Sequence, residues 1–98
     1  MQLKDKVAYI TGSASGIGKE IAIIYAQEGA KIVIADLNKD AAESTAAELR
    51  AAGHQAVGVA VDVTDEAQVD ASVEQAVAAF GGIDILVSNA GFQIVHPV

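Results

Sequence analysis

The sequence predicts an α/β fold: a parallel sheet of strand order 3-2-1-4 with helices on both faces. Three observations predict it. Short Val- and Ile-rich runs alternate with segments of helical spacing along the whole chain. Those runs are nearly continuous in apolar residues, as strands buried on both faces are. The changeovers carry cap residues and glycines where helices should start and stop. Repeated strand–helix–strand units have right-handed crossovers, and these build a parallel sheet of the doubly wound kind.

The first strand is predicted over Lys6–Thr11, and Ile17, Ile21 and Ile24 then repeat at i, i+4 and i+7 as the apolar stripe of a helix. Gly29 ends that helix, and Lys31–Asp36 is the second strand. Asn38 stands as N-cap to an Ala-rich helix, Lys39–Ala52, with Asp40 in its first turn and Glu43, Glu48 and Arg50 outward. After Gly53 comes a third strand, Gln55–Val61. Thr64 is the predicted cap of a third helix whose stripe is Val69, Val73, Val77 and Phe80. The Gly81–Gly82 pair closes it, and Ile83–Ser88 is the fourth strand. No linker, low-complexity tract or internal repeat interrupts this order.

The 98 residues carry 52% hydrophobic side chains and a formal charge of −7. That apolar share supports a packed core and argues against disorder. Scattered Lys and Arg with a negative balance argue against a nucleic-acid surface or a polybasic membrane patch. There is no cysteine, so disulfides and thiolate metal sites are excluded, and no metal site is predicted. No apolar run reaches the length of a membrane span and no signal-like segment opens the chain, so a soluble cytoplasmic protein is the expectation.

The chemistry-bearing segment is Thr11-Gly12-Ser13-Ala14-Ser15-Gly16-Ile17-Gly18, between the first strand and the first helix. A helix N-terminus offers unpaired N–H groups and a partial positive charge, which suit a pyrophosphate. Gly12 turns the chain sharply, Gly16 admits the phosphates to the backbone, and Gly18 lets the helix approach the sheet. With Ser15 and Ile17 these glycines are the candidate cofactor-binding residues of the turn. A bland loop is the alternative, but the strand before, the helix after and an acid further on favour a dinucleotide. That acid is Asp36, eighteen positions beyond Gly18 at the end of the second strand. It can accept hydrogen bonds from both adenosine ribose hydroxyls and would repel the 2′-phosphate of NADP, by about 4 kcal/mol for unit charges roughly 4 Å apart. Leu37 and Asn38 supply no Arg, so NAD is the predicted cofactor. The alternative for Asp36 is a solvated residue that caps the next helix.

The spacing Thr-Gly-x-x-x-Gly-x-Gly departs from Gly-x-Gly-x-x-Gly and resembles that of the short-chain dehydrogenase/reductase family. The resemblance covers the whole chain, although the chain covers less than half of a typical member. It implies a Rossmann-like, incomplete domain, in which residues 1–98 are the NAD-binding N-terminal part of a single domain. By the same resemblance Asp62 meets the adenine amine and the Val63 N–H a ring nitrogen, the alternative being that Asp62 only caps the third helix. Ser88-Asn89-Ala90-Gly91 is similar to the family's Asn-Asn-Ala-Gly, with Ser88 in place of the first Asn. Asn89 would then lie beside the cofactor ribose, and Gly91 would keep the floor of the nicotinamide pocket thin.

The tail Phe92-Gln93-Ile94-Val95-His96-Pro97 is similar to that of bacterial D-3-hydroxybutyrate dehydrogenases. This implies oxidation of 3-hydroxybutyrate to acetoacetate, with Gln93 on the substrate carboxylate; an exposed loop residue is the alternative. His96 and His54 are assigned no role. In relatives a Ser, and a Tyr and Lys four apart, move the hydroxyl proton. Here Tyr9 lies in a strand and Tyr25 is followed four positions on by Gly29, so no catalytic residue is assigned within the chain. The resemblance also implies a small hydroxy acid or ketone as partner and a homo-oligomer, a tetramer, for the intact protein. Three alternatives stay open: a relative acting on another alcohol or 3-oxoacyl substrate, a non-catalytic NAD-binding module, and a methyltransferase, whose closer-set glycines fit poorly.

Overall fold

The computed structural model describes residues 3–88 and 95–97. The strands are β1 (Val7–Thr11), β2 (Lys31–Asp36), β3 (Ala56–Ala60), β4 (Ile85–Val87) and β5 (Val95–Pro97). The helices are α1 (Gly16–Gln27), α2 (Lys39–Ala51) and α3 (Glu66–Phe80). The sheet order is β3-β2-β1-β4-β5, with β1, β2, β3 and β4 all parallel, as the alternation predicts. The central strands β1 and β2 are buried on both faces. One face carries α1 and α2 over Ala8, Ile10, Ile32, Ile34, Ile85 and Val87; the other carries α3 over Val7, Tyr9, Val33, Ala35 and Val59.

The predicted stripes hold in part: Ile21 of α1 and Val69, Val73 and Phe80 of α3 pack against the core half-buried, but the fully buried positions of these helices are small residues. α1 turns Gly18, Ala22 and Ala26 to the sheet, while Ile17 and Ile24 are 68% and 54% exposed and Ile21 is only half-buried. α3 buries Ser72 and Ala76 and leaves Val77 exposed. Small residues four apart let a helix axis come close to a sheet, and the bulky residues are displaced to its flanks. The Ala-rich α2, whose stripe is weakest in sequence, buries Ala42, Thr45, Ala46 and Leu49. Its approach to β3 is equally tight: a Cβ at Gly58 would stand 2.8 Å from the Ala42 carbonyl carbon.

The caps follow the sequence with one correction. Asn38 caps α2, its side chain accepting from the Ala41 N–H. The cap of α3 is Asp65, not Thr64: its carboxylate accepts from the Ala67 and Gln68 N–H groups, whereas the Thr64 hydroxyl donates to Asp62. A carboxylate at the positive end of a helix wins that position over a hydroxyl engaged elsewhere.

The fourth strand departs further. It stands last in the predicted order 3-2-1-4, yet β5 pairs with it antiparallel on its outer side, Leu86 opposite His96. A parallel neighbour needs a crossover of about a dozen residues or more, so a strand returning after residues 88–94 must run antiparallel. Asp84 faces the other way, accepting from the Val7 N–H at 2.9 Å. No helix among the described residues is long and apolar enough to cross a membrane.

Candidate functional site

The carboxyl ends of β1, β2 and β3 are where the glycine turn, Asp36 and Asp62 meet. A crevice of about 190 Å³ lies there, lined by Thr11, Gly12, Ala35, Asp36, Leu37, Val61, Asp62 and Val63. Open α/β sheets bind ligands at such carboxyl edges. The volume is below the roughly 300 Å³ lower bound of whole-ligand pockets, so it suits one end of a dinucleotide. Larger concavities lie on the helices: about 370 Å³ between α1 and α2, and a shallow strip of about 710 Å³ that runs along α1 from Gly16 and Ile17 to Ile24.

The turn leading from β1 is held by its neighbours. Gly12 has φ +61, in the left-handed region that L side chains avoid. Ser13 is fully buried and donates its hydroxyl to the Ile10 carbonyl at 2.7 Å, while its N–H donates to the Ala35 carbonyl. The Ala14 N–H donates to the Asp36 carboxylate at 3.1 Å. Ser15, Gly16 and Ile17 are then exposed in succession at the start of α1, and Gly18 is buried in the helix. A Cβ on Gly16 would meet nothing within 4 Å, so open space adjoins the backbone where a phosphate would approach.

The start of α1 differs from those of the other two helices. Asn38 and Asp65 cap α2 and α3, and Asp40 and Glu66 lie in their first turns. Ser15 makes no side-chain cap hydrogen bond, and α1 has no acid in its first turn. The first turn of α1 therefore supplies no counter-charge of its own to the partial positive charge at this edge, which suits an anionic group.

Asp36 caps no helix. One carboxylate oxygen accepts from Ala14 and the other from the Asn38 N–H at 3.2 Å. A carboxylate accepts about four hydrogen bonds, so two positions remain for a pair of ribose hydroxyls. Asp62 is tied into a turn, one oxygen accepting from both the N–H and the hydroxyl of Thr64, and these bonds hold its pKa below the ordinary carboxylate range. Beside the two acids, Leu37 and Val63 are 73% and 45% exposed and supply apolar walls suited to the flat faces of a base. Leu37 was legible in the sequence only as a residue that is not Arg; an exposed leucine directly after a strand-end acid is the signal that could have marked it. Asn89, Gly91 and Gln93 lie outside the described residues.

The sequence profile of the family described as short chain dehydrogenase matches residues 6–98. Sorbitol dehydrogenase of Cereibacter sphaeroides is 47% identical over 98 residues, covering 100% of this chain and 37% of that protein. Galactitol 2-dehydrogenase of Agrobacterium fabrum is 49% identical over the same length, again covering 37% of the relative. Among solved structures, the hydroxysteroid dehydrogenase from Escherichia coli superposes with a TM-score of 0.86 at 42% identity, over 89% of this chain and 36% of that one.

Proposed function

The chain belongs to the short-chain dehydrogenase family, and from that premise we propose that the protein carrying it is an NAD-dependent oxidoreductase of a small hydroxy compound. The chain spans well under half the length of its relatives, 37% of both polyol dehydrogenases, so the activity proposed is that of the whole protein. One observation carries the reading: a crevice at the carboxyl edge joins Gly12, Asp36, Leu37, Asp62 and Val63 beside an uncapped, acid-free helix start. The residues present fit the group. The two free acceptor positions of Asp36 would take the adenosine ribose, Leu37 and Val63 would flank the adenine, and the N–H groups at Ser15, Gly16 and Ile17 would take the diphosphate. Nicotinamide supplies hydride acceptance when bound.

Asp36 selects NAD over NADP through the repulsion its charge exerts on a 2′-phosphate. Asp36→Asn is the cleanest test, because an amide oxygen still accepts from Ala14 while the charge is gone. The ratio of kcat/KM for NAD to that for NADP should fall at least ~tenfold in this variant. Equal or NADP-favouring values for the wild type would overturn the cofactor assignment.

For the substrate, the tail motif supports 3-hydroxybutyrate, with Gln93 on its carboxylate and, outside the described residues, Asn89 and Gly91 along the nicotinamide side. Gln93→Ala should then raise KM for D-3-hydroxybutyrate and leave the KM for NAD nearly unchanged. A second reading has its own observation: the two polyol dehydrogenases match over the entire chain. Wild-type turnover of sorbitol or galactitol but not of hydroxybutyrate would decide for that reading.

A further inference from the structure

Thr45 lies on α2, outside the crevice, and is a polar residue in an otherwise apolar buried stripe of Ala42, Ala46 and Leu49. It is 3% exposed, and its hydroxyl donates to the Ala14 carbonyl at 3.1 Å, reaching a residue 31 positions earlier. The Ala14 N–H is held by Asp36 at 3.1 Å. The two peptide units on either side of Ala14 are thus each pinned, one by the end of β2 and one by α2. We propose that Thr45 is a positioning residue for the nucleotide: by holding the Ala14 carbonyl it sets the orientation of the Ala14–Ser15 peptide that receives the diphosphate. The inference rests on the nucleotide-binding reading above.

The physical reason is the planarity of the peptide bond. In a trans peptide the carbonyl and the following N–H point in opposite directions. With the Ala14 carbonyl fixed on α2, the N–H of Ser15, the N-cap residue of α1, is aimed away from α2. A Val at this position would match Thr in shape and lack only the hydroxyl that holds the Ala14 carbonyl. The hydroxyl's contribution is therefore to direction, and its loss would leave the Ala14–Ser15 unit free to rotate. An N–H that must first be reoriented binds an anion more weakly than one already aimed.

The test uses the full-length protein with Thr45→Val, Thr45→Ala and Thr45→Ser, titrated with NAD, ADP-ribose and adenosine. Thr45→Val should weaken NAD and ADP-ribose by a common factor of about tenfold, the size that goes with one lost buried hydrogen bond. Adenosine, which lacks the diphosphate, should bind as to wild type, and Thr45→Ser should restore both diphosphate ligands. Thr45→Ala gives the same reading if the Val variant does not fold. Unchanged affinities with a lower Tm would make the role merely structural and overturn the proposal. Equal weakening of all three ligands would do so as well, since that is general loosening. A wild type that binds none of the dinucleotide ligands would instead reject the nucleotide-binding reading, and this inference with it.

Discussion

Asp36 acts on two partners at once, and its substitutions should be read accordingly. Asp36→Asn changes charge while retaining an acceptor for Ala14, whereas Asp36→Ala removes both. The alanine variant should therefore lose affinity for NAD as well as discrimination against NADP, because the glycine turn loses its anchor at 3.1 Å. Paired Kd measurements for both cofactors in the two variants separate the effects. Tyr9 presents a different residue-scale case. Its hydroxyl donates to Ser72 at 2.6 Å inside the core, and Ser72 donates in turn to the Val69 carbonyl. Burial disfavours the tyrosinate and raises the Tyr9 pKa above the ordinary tyrosine value of 10.0, the Ser72 bond opposing this only in part. A raised folded pKa means that the unfolded chain releases its proton first. The associated stability is thus complete below pH 10.0 and is lost as pH rises through the folded value. Tyr9→Phe should be less stable at neutral pH by about 1 kcal/mol and lose less stability on alkaline titration. Parallel denaturant curves across that pH window check this; identical alkaline slopes would reject it.

At the scale of the element, close approach is what organises the helices. α1 lies on the sheet through Gly18, Ala22 and Ala26, which is why its isoleucines are found on the flanks. α2 presses on β3 at Gly58, where any Cβ would overlap the backbone of Ala42 and Glu43 at 2.8 to 2.9 Å. Backbone cannot rotate away as a side-chain tip can, so Gly58→Ala should destabilise by about 1–3 kcal/mol. Because α2 also carries Thr45, displacing it should disturb the glycine turn, and the variant's affinity for NAD should fall along with its Tm. Chemical denaturation and a Kd titration measure the two; a Tm equal to wild type would show that the helix can shift at no cost. The capping of α3 illustrates the same competition between neighbours. Thr64 is engaged by Asp62, and Asp65 takes the helix end.

Across the whole molecule, apolar surface is distributed unevenly. Ile17 and Ile24 face outward on α1, and Val77 and Leu86 are exposed on the α3 side of the sheet. With β5 paired to β4, these faces, and not an open β4 edge, are the surfaces expected to drive association of residues 1–98 when expressed alone. That fragment should elute above monomer size, and it should form no NADH with hydroxybutyrate, sorbitol or galactitol. The second expectation follows from the absence of a Tyr-x-x-x-Lys pair from the sequence. A monodisperse monomer would sink the first expectation, and turnover the second.

The order of strands and helices, the parallel sheet and the family were determined by the sequence, because hydrophobic period, cap residues and glycine spacing act over a few residues and survive any packing. The residues gathered at the carboxyl edge were legible for the same reason: Gly12, Asp36 and Asp62 each stand at or just after the end of a strand. The predicted stripes reach the core only at its margin, through Ile21, Val69, Val73 and Phe80; tertiary structure decided which residues of α1 and α3 are fully buried, since a helix settles where its smallest residues allow the closest approach. It alone decided that Asp65 caps α3, that Asp84 turns to β1 and that β5 runs antiparallel. Thr45 belongs with these. Nothing in a run of Ala, Glu and Ser marks one threonine for a carbonyl 31 positions away until the fold has brought α2 against the turn.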